Sequence, residues 1–382
     1  MSEKVKVFGI LSAHFLPHLG GVERYVYNLA KGLIKQGKRV LIITSAYSDL
    51  PNNEDFEGII VYRLPAYGLM NGRMPIIKHN KQFRQLVKEI ESKYDIEKLI
   101  INTHLYTLSC WGARWGNKHS KKIVFIGHGT EHMDLGNGII NRMANIYEHM
   151  LMGYIKKYVT NFYGVSLSCN NWLKHFSINA KGVFYNAVNV SDFVKKDSYL
   201  RKELNISSDT MLISFVGRII EDKGIRKLCE AVRNIDDKEV TLIVAGDGEI
   251  YNELRTLYPE VIWLGSVTHD KVIDLLYETD IFALPTDYPE GFPTGVLEAA
   301  MCGCCIITTN AGGSKELIID DSYGIILKEN SVPEIKDTLV NFLEHKEKIY
   351  EKGSNVQKRV KEKFTWEVTV EKVIEELENE QN

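Results

Sequence analysis

From Val5 onward the chain alternates short, β-branched apolar runs with longer segments whose apolar residues recur at helical spacing. In the first half, residues 5–11, 39–44, 59–64, 99–102 and 123–126 are predicted strands. Amphipathic stretches separate them, chiefly 22–35, 76–91 and 139–157. In the second half the predicted strands are 211–216, 240–245, 261–264, 281–284, 305–308 and 324–327, each parted from the next by a helix or a turn. These runs are apolar nearly throughout, the pattern of strands buried on both faces of a parallel sheet. Two α/β halves of similar size in tandem follow from this pattern. The polar, turn-rich stretch 186–192 joins them. The expected division is therefore 1–190 and 191–365, with a C-terminal helix over 366–382. A ligand is expected in a cleft lined by the carboxyl ends of the strands.

Composition narrows the class. The chain has 382 residues, 44% hydrophobic and 25% charged, which is ordinary for a soluble globular protein. The longest apolar candidate, 139–155, is broken by Asn141, Arg142, Asn145, Glu148 and His149, so no spanning helix is expected. Met1-Ser2-Glu3-Lys4-Val5 leads straight into a strand, so no signal peptide is read and a cytoplasmic location is expected. Cys110, Cys169, Cys229, Cys302, Cys304 and Cys305 form no C-x-x-C pair and are expected to be reduced. The spacing of the last three suits no zinc ligand set.

The net charge of −3 hides an asymmetry: residues 1–190 carry 24 Lys and Arg against 13 Asp and Glu, and residues 191–382 carry 23 against 37. A basic first half suits an anionic partner, such as a membrane surface or a phosphorylated acceptor. Lys78, Lys81, Arg84 and Lys88 fall at helical spacing beside Ile76, Ile77 and Leu86, a candidate interfacial helix whose alternative is a solvated face. The basic excess is spread out and no nucleic-acid module is present, which excludes a nucleic-acid partner.

The densest chemistry runs from Leu284 to Gly303, LPTDYPEGFPTGVLEAAMCG. A buried strand ends at Pro285, a loop carries Glu290, and Gly291 allows a tight turn. Pro293 stands where the first helical residue is expected, and the helix carries Thr294 through Met301. Two glutamates alone more often mark a solvated loop and helix. Here Glu290 and Glu298 flank a turn and a helix start, so they can bracket a hydroxyl-rich ligand while the helix N-terminus meets a diphosphate. After the strand 211–216 come Gly217-Arg218 and Glu221-Asp222-Lys223-Gly224, which deliver two cations suited to a diphosphate leaving group. Leu19-Gly20-Gly21-Val22-Glu23-Arg24 follows the first strand and opens a helix, without a G-x-G-x-x-G fingerprint. Gly127-His128-Gly129-Thr130-Glu131 follows the strand 123–126, and His104 ends the strand before it. Gly246-Asp247-Gly248-Glu249 reads as a strand-to-helix turn.

These pieces resemble one family, the large retaining glycosyltransferases of the E-x7-E type with the GT-B fold. Glu290 through Glu298 is similar to the E-x7-E motif, Gly217 through Gly224 to its G-R-x-x-x-x-K-G segment, and Gly127-His128-Gly129-Thr130 to its H-G-T/S segment. Tyr185-Asn186-Ala187-Val188-Asn189 through Phe193 resembles the interdomain N-G-V-D-x3-F, with Ala187 and Asn189 in place of Gly and Asp. Cys305 stands where Pro is common in A-x-G-x-P-V, and Phe364-Thr365-Trp366-Glu367 is similar to the start of the family's C-terminal helix. The resemblance implies an α/β GT-B fold: two tandem Rossmann-like domains with parallel sheets facing across a cleft, and a C-terminal helix crossing back to the first.

It also implies the roles. Gly20, Gly21, Arg218, Lys223, Glu290, Gly291, Phe292, Pro293, Thr294 and Glu298 would hold a nucleotide-diphosphate sugar, with Glu290 on the sugar and Glu298 on the ribose. His128, Glu290, Arg218 and Lys223 would be catalytic, and His104 would line the acceptor side. No D-x-D motif occurs, so neither a metal nor another cofactor is expected. The implied reaction is retaining transfer of a hexosyl-type sugar from UDP- or GDP-sugar to a glycan or lipid-linked acceptor, in cell-surface polysaccharide synthesis. No second carboxylate is placed as a covalent nucleophile, unlike the pair in retaining glycosidases. A nucleotide-sugar epimerase and a nucleotide-sugar-binding pseudoenzyme partner are the rival readings. The E-x7-E motif and its Arg–Lys pair favour transfer.

Overall fold

The computed structural model describes residues 3–18, 20–46, 50–195, 200–235 and 239–379. They form two compact units, Met1–Asn186 with Trp366–Asn382, and Ala187–Thr365.

The first unit contains β1 (Val5–Leu11), α1 (Gly21–Lys35), β2 (Val40–Ala46), β3 (Asn53–Phe56), β4 (Ile59–Leu69), β5 (Met74–Ile77), α2 (Lys81–Lys93), β6 (Tyr94–Asn102), α3 (Thr107–His119), β7 (Ser120–Gly127), α4 (Gly138–Ile155), β8 (Asn161–Gly164), α5 (Leu167–His175) and β9 (Gly182–Val183). Its sheet runs β3-β4-β2-β1-β6-β7-β8-β9, with β5 also on β4. Only β3 and β5 pair antiparallel. The Ile, Val and Leu of β1, β2, β6 and β7 are buried apart from the half-buried Val5, as expected of central parallel strands. Strand order reverses between β1 and β6, so the loops after β1, β6 and β7 open at the switch point of this sheet.

One expectation is corrected here. The stretch 76–91 is not a single helix, because Ile76 and Ile77 belong to β5 and α2 begins only at Lys81. The Asn80 side chain accepts the Phe83 N–H and caps the helix there. Phe83, Leu86 and Ile90 face the core, so this helix has no apolar face left for a membrane.

The second unit contains α6 (Leu200–Glu203), β10 (Met211–Val216), α7 (Ile225–Arg233), β11 (Val240–Ala245), α8 (Tyr251–Leu257), β12 (Ile262–Gly265), α9 (His269–Glu278), β13 (Ile281–Leu284), α10 (Thr294–Cys302), β14 (Cys305–Thr309), α11 (Ser314–Leu317), β15 (Ile325–Leu327), α12 (Val332–Glu344) and α13 (Lys346–Lys363). Its parallel sheet runs β12-β11-β10-β13-β14-β15, the Rossmann order, with the switch point between β10 and β13. The join carries its altered residues without strain. Ala187 is buried, and Asn189 has φ −87°, so no left-handed residue is needed where Gly and Asp were expected.

The last helix, α14 (Trp366–Glu378), packs in the first unit. Val370 fills the space beside Gly32 of α1, and the Trp366 ring meets Tyr25 at 5.1 Å. Thr369 Oγ1 donates to the Tyr185 carbonyl at 3.1 Å and Tyr163 donates to Glu376 at 3.0 Å. Among the described residues no helix is long and apolar enough to cross a membrane. None of the six cysteines is in a disulfide, and burial pushes the Cys305 thiol up to about 12, so it behaves as a small apolar side chain.

Candidate active site

In the second unit the expected residues converge on the switch point. The loop after β10 carries Arg218 and Lys223, and the loop after β13 carries Tyr288 and Glu290. The Lys223 ammonium pairs with Glu290 Oε1, and both side chains are largely buried. Arg218 and Lys223 lie 5.0 and 5.1 Å from the centre of the Tyr288 ring, within cation–π range. Backbone bonds stitch the two loops together. The N–H groups of Asp287 and Tyr288 donate to the Asp222 carbonyl at 2.7 and 2.9 Å, and Thr286 Oγ1 adds a bond of 3.2 Å. Gly224 makes the approach possible. Its φ is +72°, and a Cβ there would stand 1.8 Å from the Pro285 carbonyl oxygen.

The helix that follows is positioned by similar means. Pro293 is the N-cap, with ψ 114°, so α10 starts at Thr294 and not at Pro293 as the sequence suggested. Proline's fixed φ suits both positions, but its extended ψ puts it outside the helix. Glu298 in the second turn is 8% exposed, and its Oε1 lies 3.1 Å from His269 Nε2. Phe292 packs edge-on against Phe364 at 5.3 Å. Gly312, with φ +53°, lets the loop after β14 press on the carbonyls of Glu290 and Gly291.

In the first unit, His128 follows β7 and Asn102 ends β6. Asn102 Nδ2 donates to the Leu11 carbonyl at 3.2 Å, so its Oδ1 accepts from His128 Nε2 at 2.9 Å. That arrangement places the proton on Nε2 and leaves Nδ1 as an acceptor. Burial pushes the His128 pKa down to about 3, so the ring is neutral at physiological pH. Tyr25 meets it edge-on at 4.9 Å.

His104 has a different partner. It is buried, with Nε2 at 3.4 Å from Glu148 Oε2. Gly20 is the extended N-cap of α1 and Gly21 its first residue, with Glu23 folded back over Gly20. Leu19 lies outside the described residues.

Tyr288, Asn102, Glu148 and His269 were missed in the sequence. Tyr288 had a signal, since it stands two residues before Glu290 in the quoted loop. The other three became visible only through their partners in space.

Two α/β units, one of them a Rossmann-ordered sheet, make up the fold of the GT-B glycosyltransferases. Residues 19–192 match the family model of Glycosyltransferase Family 4, and residues 197–362 match that of Glycosyl transferases group 1. The chain belongs to the group 1 glycosyltransferases. It is 26% identical to an uncharacterized glycosyltransferase of Methanocaldococcus jannaschii, over 98% of this chain and 100% of the relative. It is 28% identical to the phosphatidylinositol N-acetylglucosaminyltransferase GPI3 subunit of Saccharomyces cerevisiae, over 85% of this chain and 72% of that one. The fold matches that of Anabaena HepE in complex with UDP, with TM-score 0.77, 17% identity and coverage of 98% and 99%.

Proposed function

We propose that this chain is a retaining, metal-independent hexosyltransferase that takes its sugar from a UDP-sugar and passes it to a lipid-linked acceptor at an anionic membrane surface. The observation that carries this reading is the Lys223–Glu290 pair, with Arg218 beside it on Tyr288, at the switch point of the second unit. Arg218 and Lys223 supply fixed positive charge where the diphosphate leaves. Glu290 exchanges its lysine partner for the transferred sugar, and Glu298 holds the ribose. The glycosidic bond to phosphate breaks while the acceptor oxygen bonds the same face of the anomeric carbon. The leaving phosphate oxygen takes the acceptor's proton. Neutral His128 offers Nδ1 to a sugar hydroxyl. The choice of UDP draws on the UDP bound to HepE, and the lipid acceptor draws on the name of the yeast relative.

A surface feature supports the membrane side of this reading. On α4, Ile139, Met143, Ile146 and Met150 form an exposed row at helical spacing, Ile139 at 76% and Met150 at 69% exposure. Arg142 and Lys157 flank it, exposed, on the basic half of the chain. An apolar stripe edged by cations is what an interfacial helix presents to anionic lipid.

The test is a thermal-shift series with UDP, GDP, ADP and their common sugar conjugates. A donor at a hundredfold its dissociation constant stabilises by about 2.7 kcal/mol, so the true donor stands out. If no nucleotide moves the melting temperature, the transferase reading falls. If the donor alone is converted to its epimer, the reaction is epimerisation.

A further inference from the structure

The first unit holds a second cluster that the transfer chemistry leaves unused. His132 lies in the loop between β7 and α4, His149 on α4, and His175 at the end of α5. His175 Nε2 is 3.1 Å from His132 Nε2 and 3.0 Å from His149 Nε2, and one nitrogen from each ring falls within 4.8 Å of the others. Bonds of about 2.0–2.1 Å to one tetrahedral Zn2+ put ligand nitrogens about 3.3 Å apart, close to the two short separations here.

Proton bookkeeping points the same way. His132 Nδ1 lies 2.8 Å from Glu148 Oε2, and the Glu148 side chain is fully buried. The carboxylate therefore holds the proton on Nδ1 and turns the Nε2 lone pair toward His175. His175 Nε2 faces two nitrogens and either donates one proton or accepts one, so neutral rings form only one of the two hydrogen bonds through it. A cation among the three satisfies every contact.

The surroundings are those of a built site. Glu148 is locked by the Met133 N–H at 3.0 Å and touches His104 at 3.4 Å. This is the role of the outer carboxylate that orients a metal-bound histidine. The Trp172 ring lies flat on His175, at 4.7 Å and 6°, and fixes its plane. His149 and His175 are exposed, which leaves a side of the cluster open to solvent.

We propose that His132, His149 and His175 bind one divalent transition-metal ion, with Zn2+ the best fit, in a three-nitrogen site whose fourth position is open to water or an anion. The ion ties the loop that carries His128 to α4 and α5. Its three ligands all belong to the first unit, whereas Arg218 and Lys223 belong to the second.

The experiment uses the tag-free full-length chain, stripped with chelator and titrated with Zn2+ against a chromophoric competitor. One Zn2+ per chain is expected, with at least 100-fold weaker binding in the His149→Ala, His175→Ala double variant and about 10- to 100-fold weaker binding in Glu148→Gln. Co2+ added to the wild-type chain should give the intense visible bands of a four-coordinate ion. Those bands test the site even if a variant misfolds. Failure to bind a full equivalent of Zn2+, or stoichiometric binding that survives the double histidine substitution, overturns the proposal, as does a six-coordinate Co2+ spectrum.

Discussion

The two units place chemistry in opposite ways. In the second, the candidate residues sit on two loops that the backbone itself locks together. Asp222 accepts three hydrogen bonds from Thr286, Asp287 and Tyr288, and Gly224 allows the contact with Pro285. In the first, the polar residues are held by one another's side chains: His128 by Asn102, and His104 and His132 by Glu148. A backbone-locked site keeps its geometry whatever occupies it, which suits a constant nucleotide diphosphate. A site held by side chains can vary by substitution, which suits an acceptor that differs from one transferase to another.

The contrast breaks most visibly at Lys223. Lys223→Ala should lower kcat about 1,000-fold, the scale of losing one preorganised charge in a transition state, with the fold unchanged by circular dichroism. Turnover near wild type in a steady-state assay would remove Lys223 from the mechanism. Next comes the backbone itself. Gly224→Ala should cost about 3 kcal/mol, because it adds a left-handed alanine and a collision with the Pro285 carbonyl. Gly21→Ala meets no atom within 4 Å and should leave the melting temperature unchanged. Equal losses in the two glycine variants, measured in urea, would erase the distinction between the units.

How much was legible follows the same division. Strands β1, β10, β11 and β13 lie where their apolar runs lie, because burial on both faces leaves few polar positions to blur the pattern. Arg218, Lys223, Glu290 and Glu298 were also readable, since a glycine turn or helix start marks each in the linear chain. The hairpin strands β3 and β5 were not, because their polar residues and Pro75 hide the alternation. Ile76 and Ile77 were assigned to a helix for the same reason, as a short apolar run beside a helix shares its period. Asn102, Glu148 and the three clustered histidines carry no local signature. Their meaning lies in contacts across up to 91 positions of chain.

A smaller effect separates His128 from an ordinary histidine. Its folded pKa, about 3, lies below the unfolded value of about 6.5, so the unfolded chain takes up its proton first. Its contribution to stability is therefore whole above about pH 6.5 and declines as pH falls toward 3, by up to about 1.4 kcal/mol per pH unit. The difference in stability between wild type and His128→Gln should shrink over that window. A constant difference from pH 7 to 4.5 would show a ring that protonates normally when folded.

The smallest expected change tests whether Glu298 acts in binding alone. Its carboxylate meets the half-exposed His269, a contact of the kind worth about 0.2–1 kcal/mol. If Glu298 holds the ribose equally in the ground and transition states, loosening it costs uniform binding and leaves the chemical step untouched. His269→Ala should then raise the donor KM about two- to fivefold with kcat constant. A fall in kcat at unchanged KM would mean that the α10 carboxylate acts on the reacting centre, which would tie the donor's nucleoside end to catalysis rather than to affinity.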